Sequence, residues 1–100
     1  QDVERGLTAP ERLGLNTRVE IRKAAPQLLE EMPEGSGRLV IDLSYTREID
    51  SAGLGALMLI QRRAAERRQI VVLRHPNEEI RFLLVLTKLS DLFEIESFDE

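Results

Sequence analysis

Two short runs, Arg38 to Leu43 (RLVIDL) and Gln69 to Arg74 (QIVVLR), constrain the fold more than any other feature of the chain. Each is apolar through its middle and rich in β-branched residues, the pattern of a strand covered on both faces. Between them Leu54, Leu57, Met58, Gln61, Ala64 and Ala65 stand at helical spacing, which predicts a helix running to about Arg68. Strand, amphipathic helix and strand in that order form a parallel pair joined by a right-handed crossover.

The flanking sequence extends the alternation. Val3 to Thr8 is a candidate edge strand that Pro10 ends. Thr17 and Glu20 stand at capping-box spacing, with Asn16 as a competing cap, and Val19, Ile21, Ala24, Ala25, Leu28 and Leu29 then mark a first helix. Pro26 lies inside that pattern, where it removes a hydrogen bond and clashes with the preceding turn, so a kink or an early end is expected there. Met32 to Gly37 reads as a loop. Ile80, Leu83, Leu84 and Thr87 predict a third helix after the His75-Pro76-Asn77 turn, and Leu92 to Phe98 predicts a last edge strand. The order β-α-β-α-β-α-β implies an α/β fold with a mostly parallel sheet. At 100 residues this is one domain, residues 1–100, with a core of Leu, Ile, Val and Ala.

Several functions lack their usual support. The chain has no cysteine, which excludes a disulfide framework and thiolate metal sites and fits a reducing cytoplasm. A net charge of −4 argues against non-specific nucleic-acid binding. No apolar run approaches the roughly 20 residues of a membrane span, so no membrane insertion is expected. The first residues carry no charged-then-apolar signal, which predicts no export, and the start at Gln1 without a methionine suggests a trimmed or partial chain. Phosphate-binding and dinucleotide-binding glycine loops and the serine-hydrolase elbow are absent, so no cofactor and no metal are predicted and the protein is not expected to be an enzyme. His75 reads as a surface histidine in a turn. Glu94, Glu96, Asp99 and Glu100 could be imagined as a cation site, but their strand-like alternation reads as solvent-facing.

The remaining feature is Ile49 to Gly55, IDSAGLG, where an extended segment gives way to the second helix. Either Asp50 or Ser51 can cap that helix, since each side chain offers an oxygen to the free N–H groups of the first turn. The same geometry suits an exposed phosphoacceptor serine, because a phosphate there would sit at the positive end of the helix dipole. Gly53 and Gly55 weaken the first turns and would let a partner backbone approach closely.

The stretch VIDLSYTREIDSAGLGALMLIQRRAAERRQIVVLRHPNEEIRFLLVLTKLSDLFEI closely resembles a STAS domain, the family of bacterial anti-sigma factor antagonists and of the cytoplasmic tails of anion transporters. Its most specific part is D-S-x-G-L-G following a D-L-S strand end. HPNEEIRFLLVLTKLSDLF is similar to the family's later motif. The resemblance implies a mixed, mostly parallel sheet of four to five strands with helices packed on it. It also implies that Ser51 is a phosphoacceptor and that Ser44, Asp50, Ala52, Gly53, Leu54 and Gly55 face the partner, an anti-sigma factor of the serine-protein kinase type, with a cognate phosphatase. ERLGLNTRVEIRKAAPQLLE resembles the family's first acidic loop and helix, with Arg12 and Gly14 in place of acidic residues, and one strand candidate precedes it where the family has two. Two other readings stand beside this one: a STAS docking module of a membrane transporter or ABC lipid-transport system with Ser51 as a helix cap only, and a small enzyme using Ser51 as a nucleophile.

Overall fold

The computed structural model describes residues 3–97. Among them, four strands form one sheet: β1 (Glu4–Thr8), β3 (Arg38–Asp42), β5 (Ile70–Arg74) and β6 (Glu94–Glu96), in that spatial order and parallel throughout. β3 and β5, the two apolar runs, are the inner pair; β1 and β6 are the edges, as expected of Val3–Thr8 and of the last segment. Phe98, Asp99 and Glu100 lie outside the described residues. Three helices connect the strands: α1 (Arg18–Glu30), α2 (Ser51–Glu66) and α3 (Glu78–Leu86), with a 3-10 turn at Leu89–Asp91 before β6.

Strand alternation decides where the core sits. Leu39, Ile41, Val71 and Leu73 belong to one cluster with Ile21, Ala25 and Leu29 of α1 and Leu57, Ile60 and Ala64 of α2. Val40 and Val72 point to the opposite face, yet they are only 3% and 0% exposed. No helix is needed to cover them, because the register sets Gly6, Val40, Val72 and Glu94 in one row, and Arg38 reaches from β3 across β5 to Glu94 at 2.6 Å. Arg38 also pairs with Glu96 at 3.2 Å and Glu4 at 3.7 Å, and Arg74 pairs with Glu96 at 2.7 Å and Glu4 at 3.8 Å. The aliphatic stems of the two arginines thus roof the valines while their charged ends neutralise the carboxylates. Glu94 and Glu96 are members of this network, which corrects their reading as merely solvent-facing residues.

Four local details also refine the expectations. α1 runs through Pro26 without ending; Arg22, whose carbonyl the proline leaves without an intrahelical donor, is exposed, so water can take its place, while buried Ala25 and Leu29 hold the helix on the sheet. Thr17 is the N-cap residue of α1 but makes no capping hydrogen bond, and so no capping box forms. Its Oγ1 instead donates to the Arg12 carbonyl and accepts from the Gly14 N–H at 2.9 Å, folding the preceding loop on itself. A second early strand is present after all: β2 (Arg12–Leu13) pairs in parallel with β4 (Glu48–Ile49) as a separate two-residue ladder. Finally α2 stops at Glu66, and Arg68 turns the chain with φ 56°.

Buried polar groups tie these elements together. Gln69 is 6% exposed, and its Nε2 donates toward the carbonyls of Leu29, Met32 and Pro33, the last carbonyls of α1 and the loop behind it. Buried Thr46 donates to the Pro10 carbonyl at 2.9 Å, fixing the Ser44–Glu48 connection against the segment that leads into β2.

Candidate docking site at the start of helix α2

The β2–β4 ladder delivers the IDSAGLG segment to the surface. Arg47 N–H donates to the Glu11 carbonyl at 2.7 Å and Asp50 N–H to the Leu13 carbonyl at 3.2 Å, so the chain enters α2 strapped to the Glu11–Leu15 loop. Asp50, in extended conformation (φ −95°, ψ −178°), is the N-cap. One carboxylate oxygen accepts from Gly53 N–H at 2.9 Å, and the other accepts from Leu15 N–H at 3.2 Å. A single carboxylate therefore satisfies the helix end and closes the loop from the first third of the chain. The Gly53 N–H bond is the largest influence holding the Asp50 pKa below the ordinary carboxylate value; slight desolvation opposes it, and the Leu15 and Ala52 N–H groups and the Arg18 charge assist.

Of the two candidate caps, then, Asp50 does the capping. Ser51 is the first residue of α2 and is exposed, and among the described residues its hydroxyl makes no hydrogen bond. This corrects the reading of Ser51 as a helix cap. Its side chain is a spare hydroxyl at a helix N-terminus, with a charged carboxylate as its neighbour.

The two glycines of the segment differ. Gly53 is buried, and a Cβ there would collide with the Leu13 carbonyl group and stand 2.9 Å from Ile49 Cγ2. The close approach expected of a partner backbone at Gly53 is made by the protein's own β2. At Gly55 an added Cβ would meet nothing within 4 Å, so no internal packing requires a glycine. Gly14 also has a local cause: a Cβ would press on the Asp50 carboxylate. An acidic residue there would put a second negative charge where Asp50 already lies. Ala52 and Leu54 are partly exposed on either side of Gly53.

Ser44 belongs elsewhere on the surface. Its N–H donates to Asp42 Oδ1 at 2.9 Å and its hydroxyl to the same oxygen, and it lines a groove of about 600 Å3 with His75, Pro76, Asn77 and Arg81. Asp50 lines a different groove, of about 310 Å3, with Arg12, Gly14, Leu15 and Asn16. Burial works against the charge on Asp42, but the bonds from Ser44 outweigh it and the pKa is lowered. His75, with φ 58°, sits in the Ser44 groove and is not among the residues lining the Asp50 groove. Among the described residues no group of three His, Asp or Glu could hold a metal ion, and no helix is long and apolar enough to cross a membrane.

A one-sided layer of helices on a parallel sheet, with an Asp-capped helix opening onto a glycine-containing surface, defines a STAS-type domain. A family model described as "Mlab, STAS domain" matches residues 4–94, and the chain belongs to the STAS family. Among solved structures it is similar to a Thermotoga maritima protein assigned as an anti-sigma factor antagonist (TM-score 0.74, 24% identity, 97% of this chain and 83% of that one). It is also similar to the anti-sigma factor antagonist SpoIIAA in its unphosphorylated form (TM-score 0.69, 13% identity, 97% and 82%). A third is a sulfate transporter family protein of Wolinella succinogenes (TM-score 0.64, 15% identity, 97% and 78%). No curated protein sequence matches the chain significantly.

Proposed function

We propose that this STAS domain is a non-enzymatic, cytoplasmic anti-sigma factor antagonist switched by phosphorylation of Ser51. The observation that carries the reading is the spare, exposed Ser51 hydroxyl at the start of α2, left available because Asp50 caps the helix. Unphosphorylated, the surface of Asp50, Ser51, Ala52, Leu54 and Gly55 docks an anti-sigma factor of the serine-kinase type, and Ser44, in its separate groove, is a second contact point for the same partner. Phosphorylation adds about −1.5 to −2 charges beside a carboxylate that is itself kept ionised. Docking then fails by repulsion and steric block, with little refolding, because the positive helix end tolerates the phosphate. A cognate phosphatase restores the docking form. The fold shared with a protein solved "in its unphosphorylated form" supports this reading.

The test is affinity capture from native extract with Ser51→Ala and Ser51→Asp as paired baits. Ser51→Ala should retain a serine kinase that Ser51→Asp loses; equal retention sinks the proposal. A second reading, a docking module of a membrane transport system, is favoured by the "Mlab" family model and by the sulfate transporter likeness. Capture of transporter subunits equally by both baits would select it.

A further inference from the structure

Arg5, Arg12, Arg38, Arg47, Arg67 and Arg74 are all in ion pairs. Arg18, Arg22 and Arg63 are among the eight Lys and Arg residues that make none among the described residues. Arg18 and Arg22 stand one turn apart on α1, and Arg22 faces Arg63 of α2 across the seam between the two helices. Arg22 and Arg63 flank a groove of about 200 Å3 whose other walls are Pro26, Leu59 and Ile60. Apolar surface is left open along the seam: Val19 is 49% and Leu59 44% exposed. Gly55 lies one turn from Leu59 with free space around it, and Arg18 at the upper end is near enough to act on the Asp50 carboxylate.

We infer that the α1–α2 seam is a second half of the docking surface and takes an acidic amphipathic helix of the partner protein. The inference rests on the docking reading of α2 and extends it by naming the partner's chemistry. A groove between two helices with an apolar floor and a rim of one charge sign is suited to a helix of opposite charge laid along it. A partner protein fits better than an anionic membrane, because the apolar side chains line a recess and the chain as a whole carries −4. The same charge pattern gives phosphorylation its reach: a phosphate on Ser51 stands at the head of the seam, so an acidic helix meets repulsion where it previously met Arg18.

The experiment uses amide chemical-shift mapping of the whole protein against three probes. They are a synthetic helix with leucines on one face and glutamates on the other, the same helix with lysines, and phosphatidylglycerol vesicles. The glutamate helix should shift Arg22, Gly55, Leu59 and Arg63, lose affinity with added salt, and bind on the order of tenfold more weakly to Arg22→Glu/Arg63→Glu, whose two sites are exposed. No shift, shifts located elsewhere, equal binding of the lysine helix, or binding of the vesicles alone overturns the proposal. The phosphorylation reading is tested separately, by the Ser51 baits in a protein with an intact seam. A failed groove with a working Ser51 switch, or the reverse, is thereby told apart.

Discussion

Gly53 and Gly55 lie two residues apart in one helix, and replacing each by alanine should move stability in opposite directions. At Gly53 the new methyl would be driven into the Leu13 backbone, 2.8 Å from its carbonyl carbon, and to 2.9 Å from Ile49 Cγ2. Backbone cannot rotate aside as a flexible side chain can, so overpacking should cost about 3 kcal/mol, offset by about 1 kcal/mol of better helix propensity. The net loss is about 2 kcal/mol, or a Tm lower by roughly 10 °C for a domain of this size. At Gly55 the methyl enters open space, and only the propensity gain remains, about 1 kcal/mol and a Tm higher by about 5 °C. Urea unfolding followed by circular dichroism, with thermal melts alongside, reads both. A Gly53→Ala variant as stable as the parent would mean that β2 does not press on α2 as described. A destabilised Gly55→Ala would mean that the space around Gly55 is filled.

Further outcomes follow from the same geometry. Asp50→Ala removes the acceptor for both Gly53 and Leu15 and should lower the urea midpoint, while Asp50→Asn should keep part of it. Asp42, Asp50 and Glu96 all have folded pKa values below their unfolded ones. Their contribution is therefore complete above the ordinary carboxylate pKa, near 4, and is lost as pH falls through the lower folded values. An acid titration of stability should be shallower in Asp50→Asn than in the parent. Gln69→Leu strips the donor from three carbonyls at the end of α1 and should cost about 1–3 kcal/mol, with faster amide exchange in the last turn of that helix. Arg38→Ala opens the roof over Val72 and should cost about 1 kcal/mol in denaturant unfolding, with Arg38→Met recovering part by restoring the apolar stem.

The sheet was legible because β3 and β5 are local facts: a β-branched run declares a buried strand wherever it sits. The junction at Asp50 was legible to the extent that capping is local too, though sequence spacing left Asp50 and Ser51 equivalent. What separated them was Leu15, distant in sequence, whose N–H takes the second oxygen of Asp50 and fixes its rotamer. Gly53 misled for the same reason, since the backbone that crowds it comes from β2. β2 itself is two residues long and carries no periodic signal; Gly14, needed to clear the Asp50 carboxylate, was the trace it left in the sequence. Pro26 shows tertiary packing overriding a local penalty. The Arg38 and Arg74 network was invisible because it joins residues from four strands whose order along the sheet is a property of topology.

The proposed role of Ser51 as the chemical switch of this domain requires that it carry phosphate in the cell. Peptide-mapped mass spectrometry of the protein isolated from its own cells, across growth phases and stress, tests it most directly. Phosphate is expected on the peptide containing Ser51, at an occupancy that changes with condition. A Ser51 that stays unmodified throughout would contradict it.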